Sequence, residues 1–469
     1  MKSRDKILYF FVVFFGNLIL KTLFIRESSF SYDEIISVKD TLLNFGHIKH
    51  EAEWDNNPPF YYYALWVWHQ IFPINEFNSR FLSAIFMSAA FGLFFNFLVK
   101  YFNTKVALVT LVFLSLSNFM TFYAQETRAY ALVVLLAVIS TIQFFKYLEK
   151  TTILNLLLFS LIDFLLIYTH YIAGLILLAQ FSYVVFYEKN IRMKFFLISG
   201  SSILVLTYLR FTKKQYLNIL NYNHKSDFWL LPAKVSDLIS ASSALYYNLV
   251  GAIIFTLILL YYFINHKKLS DDGRHKLDVY HIIIGFGATL LLFCVGTIKA
   301  VFLSRYLIFV VPFATVFVVE KVYRIHKYGF LIILPILLIM LLNLNLFKEA
   351  SMDYKGVAKL MKGVKKVNDV IVINKKDNLA LFMYYFDKTN YLKYKNIDSL
   401  ANSQNIYGVN EISEVDFLKR HTNKQIFLIQ SFHKINKLSN NLLDYLNATN
   451  LVCYHSNFFQ GIELSVFNN

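Results

Sequence analysis

Two adjacent carboxylates, Asp33 and Glu34, stand just beyond the first long apolar run of the chain, residues 7–25. Carboxylates at the edge of a hydrocarbon slab suit chemistry on a substrate that cannot leave the bilayer, because a carboxylate takes a proton from an incoming hydroxyl or amine. The same acids would also open an interfacial helix, since negative charge is favoured at a helix N-terminus. Further ionisable residues stand at the ends of later apolar runs: Arg80, Glu126, Arg128, His170, Lys299 and Arg305. Two or three cations are what a lipid phosphate or diphosphate requires, and arginine adds bidentate geometry. Each residue also has a plain alternative. Arg80, Lys299 and Arg305 would serve as snorkelling residues at headgroup level. Glu126 and Arg128 would form a weak surface pair, and His170 would end a tight turn. Which reading holds depends on the elements that carry them.

Charged residues are 16% of the 469-residue chain, against about a quarter in soluble domains, while 57% are hydrophobic and 18% aromatic. Runs of about 20 apolar residues recur, each long enough to cross about 30 Å of hydrocarbon as a helix. The expected architecture is mainly α, a polytopic membrane helix bundle of about eleven spans. They fall at residues 7–25, 81–99, 106–122, 130–147, 153–169, 171–187, 195–210, 241–263, 279–298, 301–319 and 328–347.

Every second connection is basic: Lys2, Arg4 and Lys6; Lys100 and Lys105; Lys146 and Lys150; Lys189, Arg192 and Lys194; residues 265–276; and Lys321, Arg324 and Lys327. The positive-inside bias makes these faces cytoplasmic, with the N-terminus inside and the residues after 347 outside. The same bias accounts for the net charge of +16, which therefore does not point to nucleic acid. All the ionisable residues named above then share the outer face.

The outer segments are a loop at 26–80, a turn at 123–128, a loop at 211–240 and the tail. Within the first, Pro58 and Pro59 followed by aromatics, including Tyr62, predict a helix lying on the bilayer over 58–70, with proline at its first position. The chain thus divides into a membrane domain, 1–350, and an extracytoplasmic domain, 351–469. In the latter, an amphipathic stretch at 353–366 and β-rich runs at 370–373, 426–430, 451–455 and 462–467 predict a small α/β soluble fold. Cys294 and Cys453 provide neither a disulfide framework nor metal-ligand spacing.

Four segments, in order, resemble the type-C, family-39 glycosyltransferases, which are related to protein O-mannosyltransferases and aminoarabinose transferases. They are SYDE (31–34), NNPPFYYYALWVW with NSRFLSAIF (78–86), FYAQETRAYAL (122–132) and SRYLIFVVP (304–312). YTHY (168–171) and DYKGVAKLM (353–361) are similar to segments of bacterial members. The resemblance implies an inverting membrane glycosyltransferase of the bacterial inner membrane and cell envelope, with its active site on the extracytoplasmic side. Its donor would be a polyprenyl-phosphate sugar, and its acceptor a lipid, glycan or protein. It implies Asp33 as general base and Glu34 as its orienting partner. Arg128 and Arg305 would bind the donor phosphate, helped by Arg80 or Lys299. Glu126, Tyr130, His170, Pro58, Pro59 and Tyr62 would shape the site.

No cofactor is certain. A divalent metal would fall to Glu34, Glu126 or His170, and Asn57 stands where relatives have a histidine. Two other functions remain open. An O-antigen-type polymerase or ligase would not need an acidic pair after the first span. A transporter or flippase of an anionic lipid would need charges within the slab.

Overall fold

The apolar runs fold as helices and the β-rich tail as a sheet, in two compact units. The computed structural model describes residues 3–42, 44–52, 57–210, 231–265, 275–325, 328–346, 352–393, 396–410, 425–431, 452–460 and 462–468. The expected loop at 211–240 lies mostly outside the described residues, as does most of the basic connection 265–276. The larger unit comprises Met1–Ile25 with Leu43–Phe347, and the smaller comprises Arg26–Leu42 with Lys348–Asn469. The segment bearing Asp33 therefore packs with the tail, although the sequence places it in a loop of the membrane domain.

In the larger unit, three helices among the described residues are long and apolar enough to cross a membrane: Glu76–Tyr101, Tyr130–Glu149 and His275–Gly296. Two expected spans are broken. Thr104–Leu116 and Asn118–Ala124 meet at 64°, and Val235–Leu245 and Leu249–Ile264 meet at 93°. Shorter apolar helices cover Ile153–Ile167, Tyr171–Tyr187 and Phe330–Leu342. The helix Glu76–Tyr101 packs against Ser3–Thr22, Thr104–Leu116 and Tyr130–Glu149. At the centre runs Val310–Ile325, buried without interruption from Val310 to Val322. A helix apolar on all sides has no face to offer water and belongs inside a bundle. Its neighbour His275–Gly296 approaches closely because residue 285 is glycine: a Cβ there would lie 2.8 Å from the Cα of Ala314. Charges buried near the end of the central helix are paired, as their desolvation demands. Lys321 Nζ lies 2.6 Å from Asp278 and 2.8 Å from Glu320, and Arg324 joins Glu320.

The smaller unit holds a five-stranded sheet: β1 Val370–Asn374, β2 Ile406–Val409, β3 Ile426–Ser431, β4 Val452–Phe459 and β5 Ile462–Asn468. Their order is β2-β1-β3-β5-β4. β1 pairs in parallel with β2 and β3, whereas β5 pairs antiparallel with β3 and β4. β1 is buried throughout, which matches its unbroken VIVI run and its place between β2 and β3. Four strands follow the expected runs; β2 lies where none was expected. The helix Tyr354–Val364 is capped by Asp353, whose Oδ1 accepts from the Gly356 N–H at 2.9 Å. The segment 26–42 is held here through Ser29 Oγ donating to Met352 O at 2.9 Å. Phe30 N–H also donates to the Tyr385 hydroxyl at 2.6 Å, and the Phe30 ring packs on Tyr384.

Candidate active site

The broken helix at 104–124 sets up the first part of the site. Ser117 leaves the helical region (φ −66°, ψ 118°), and its Oγ accepts from the Met120 N–H at 3.2 Å, so it caps the second piece. A helix break orphans backbone carbonyls. One of them, Ser115 O, accepts from Lys21 Nζ at 2.6 Å, and the same ammonium donates to Thr121 Oγ1 at 2.7 Å. Beyond the break, Gln125, Glu126, Thr127 and Arg128 are all buried. Arg128 N–H donates to Glu126 O at 2.8 Å, which tightens the turn. Its Nη1 donates to the Tyr62 hydroxyl at 3.2 Å.

Tyr62 belongs to the helix Phe60–Ile71, where Tyr61, Tyr62 and Leu65 are buried while Val67 and Ile71 are exposed. One-sided burial is the pattern expected of an interfacial helix. The helix begins at Phe60, two residues later than expected, so Pro59 takes the cap position instead of the first turn, and both prolines are buried. The missing proline N–H costs nothing at a helix start. Phe60 N–H donates to Tyr168 O at 3.2 Å, joining this helix to the YTHY turn, and Trp68 Nε1 donates to Asn78 O at 2.8 Å.

That turn carries His170, whose ring lies 6.1 Å from Tyr130 and 4.9 Å from Tyr306. Burial, reinforced by the positive fields of Arg128 and Arg305, pushes the His170 pKa down to about 3, so the imidazole is neutral. Its Nδ1 is buried and has no protein hydrogen-bond partner among the described residues. The Tyr130 hydroxyl lies in the fields of the same two arginines and of Glu126. Arg305 sits on the short turn Ser304–Leu307, its guanidinium 5.7 Å from the Tyr306 ring centre. Thus Arg128, Arg305, Glu126, Tyr130, His170 and Tyr62 come together in the larger unit. A neutral imidazole in the fields of two guanidiniums, with the Tyr130 and Tyr306 rings beside it, offers donors and positive charge to an anion.

The other residues are placed differently. Arg80 is fully buried and its Nη1 donates to Ile25 O at 2.8 Å, so it does not snorkel. Lys299 is exposed on the turn after His275–Gly296. In the smaller unit, Asp33 and Glu34 open the helix Tyr32–Thr41 as a capping box. Ser31 Oγ accepts from Glu34 N–H at 3.3 Å, and Glu34 Oε2 accepts from Ser31 N–H at 2.9 Å. Glu34 is fully buried, whereas Asp33 is half-buried in the first turn.

The metal candidates do not fit a metal. Among the described residues no three His, Cys, Asp or Glu side chains gather as ligands. One oxygen of Glu34 is committed to its cap, and the arginine fields at His170 oppose a dication there.

Three residues that the sequence reading passed over also contribute: Lys21, Gln125 and Tyr306. Gln125 and Tyr306 stand inside the YAQETR and SRYL segments, so position within a motif was their only signal. Lys21 had one of its own, as the single charge inside an apolar run.

No family model matches the sequence, and no curated protein matches it either. The fold, however, is similar to solved structures. One is the crystal structure of ArnT from Cupriavidus metallidurans bound to undecaprenyl phosphate, with TM-score 0.60 and 10% identity over 99% of this chain and 98% of that one. The apo state of that protein gives 0.58 and 11% identity over 97% of each chain. The archaeal oligosaccharyltransferase AglB from Archaeoglobus fulgidus, in complex with an inhibitory peptide and a dolichol-phosphate, gives 0.51 at 9% identity. That match covers 90% of this chain and 69% of AglB. At these identities the likeness is one of fold: a helical, type-C glycosyltransferase-like architecture with a small sheet.

Proposed function

We propose that this chain is an integral-membrane glycosyltransferase that moves a sugar from a polyprenyl-phosphate donor to an extracytoplasmic acceptor, with inversion at the sugar carbon. Asp33 takes the proton from the acceptor hydroxyl or amine. The freed electron pair attacks the sugar carbon opposite the phosphate and forms the new bond, while the carbon–oxygen bond to phosphate breaks and its own electron pair leaves with the polyprenyl phosphate. Arg128 and Arg305 neutralise the charge that develops on the leaving phosphate, the kind of preorganised electrostatics that dominates many enzymes. Glu126, Tyr130 and the neutral His170 shape that pocket. Pro58, Pro59 and Tyr62 line the approach for the prenyl chain or the acceptor. Glu34 orients the turn that bears Asp33.

The supporting observation is the convergence of two arginines on a buried neutral histidine, in a fold shared with ArnT bound to undecaprenyl phosphate. The reading further includes about eleven spans, a cytoplasmic N-terminus and an extracytoplasmic domain over 351–469 in a bacterial inner membrane.

The test is transfer by the purified protein in nanodiscs supplied with polyprenyl-phosphate sugars and cell-envelope acceptors. Release of free polyprenyl phosphate with each sugar moved supports the reading. Release of a diphosphate, or lipid movement without bond cleavage, overturns it.

A further inference from the structure

The turn Gln125–Arg128 has no helical ladder to hold it, yet it carries an arginine whose aim matters. Its anchor is Gln125, which is fully buried. Gln125 Nε2 donates to Lys21 O at 3.1 Å, Leu23 O at 2.9 Å and Leu346 O at 2.9 Å. Two amide hydrogens are thus shared among three carbonyls, so at least one of them is bifurcated.

Those carbonyls are open for a local reason. The first helix ends at Thr22 and Phe24 follows with φ +58°, in the left-handed region that side chains rarely adopt. The chain turns there, so the carbonyls of Lys21 and Leu23 lack the partners of a continuing helix. The next, Ile25 O, is taken by Arg80. Lys21 reciprocates, since its ammonium closes the break at Ser117 through Ser115 O and Thr121 Oγ1. The end of the first helix and the broken helix therefore clasp each other in both directions.

We infer that Gln125 is a positioning residue: it holds the Glu126–Arg128 turn onto the end of the first helix and so aims Arg128 at the donor's phosphate. The inference rests on the phosphate role proposed above. Arg80 supports the same clasp from the Ile25 carbonyl. Glutamine suits the place because three carbonyl acceptors need N–H donors, and a carboxylate of the same size would face them with acceptors only.

The test uses the full chain in nanodiscs with Gln125→Leu and the equal-sized Gln125→Glu, the latter serving if the leucine variant does not fold. Hydrogen exchange should rise about tenfold or more at amides 19–30, where local opening becomes easier, and stay unchanged across Tyr130–Glu149. Binding of undecaprenyl phosphate, the probe, should weaken about tenfold, because small misplacements of a site residue are costly. Added to Arg128→Lys, the change at Gln125 should weaken binding by less than about twofold, since coupled residues are non-additive. Unchanged exchange at 19–30 overturns the clasp whatever binding does. Fully additive losses overturn the link to Arg128. If the wild type binds no undecaprenyl phosphate, the phosphate role itself falls, while the exchange result still decides the clasp.

Discussion

The rings of His170 and Tyr306 meet with centres 4.9 Å apart and planes tilted by 53°, joining the YTHY turn to the SRYL turn across 136 positions of sequence (306 − 170). This contact brings the turn that carries Arg305 to the histidine that also feels Arg128.

If Arg128 and Arg305 bind phosphate through their planar forks, lysine keeps the charge and loses the geometry. Arg128→Lys and Arg305→Lys should each lower transfer roughly 10- to 1,000-fold, the scale of losing one donor to a developing anion. Turnover assays on purified variants check this, and full activity in both would remove the phosphate assignment.

Asp33 and Glu34 should separate cleanly. Asp33→Asn should abolish the base and cost on the order of 100- to 10,000-fold in rate while donor binding persists. Glu34→Gln keeps a capping-box residue and should leave activity and stability near wild type. Glu34→Ala breaks the box and should cost about 1 kcal/mol of stability. Wild-type turnover in Asp33→Asn would sink the base; loss of activity in Glu34→Gln would give Glu34 a chemical role beyond its cap.

His170 predicts a pH dependence. Its pKa falls from 6.5 in the unfolded chain to about 3 in the fold. Between those values the unfolded state binds more protons, so stability rises with pH and is lost as pH falls below about 6.5. The loss should reach the order of a few kcal/mol by pH 4. His170→Gln should flatten that part of the profile. Melting temperatures from pH 7.5 to 4.5 measure it, and parallel profiles for both proteins would contradict a buried neutral imidazole.

Residues 351–469 should lie outside the cytoplasm, as the positive-inside bias of the basic connections leads one to expect. A reporter fused after residue 347 should be active only when exported. Activity confined to the cytoplasm would change the span count and separate the outer-face residues from one another.

Much of this molecule was legible in one dimension, because local composition decides local structure. Apolar runs longer than a bilayer's hydrocarbon become helices. A β-branched run such as Val370–Ile373 becomes a buried interior strand, and Ser31 with Glu34 is a capping pair that sequence alone can suggest. Arg128, Arg305 and His170 were visible as ionisable groups that apolar surroundings rarely tolerate without a role.

Other features depend on partners far away in the chain. The bend at Ser117 is stabilised by Lys21, an ammonium almost a hundred positions earlier (117 − 21). Arg80 became a ligand for the Ile25 carbonyl, and Lys299 turned outward to solvent. Gln125 found Leu346, 221 positions on. The segment 26–42 joined the C-terminal unit through Met352 and Tyr385. None of these pairings has a periodic or compositional signal. Sequence sets which groups need a partner, since a buried donor or carbonyl left alone is costly. Which partner each one finds is settled only when the whole chain packs and the distant carbonyl, ring or carboxylate arrives within reach.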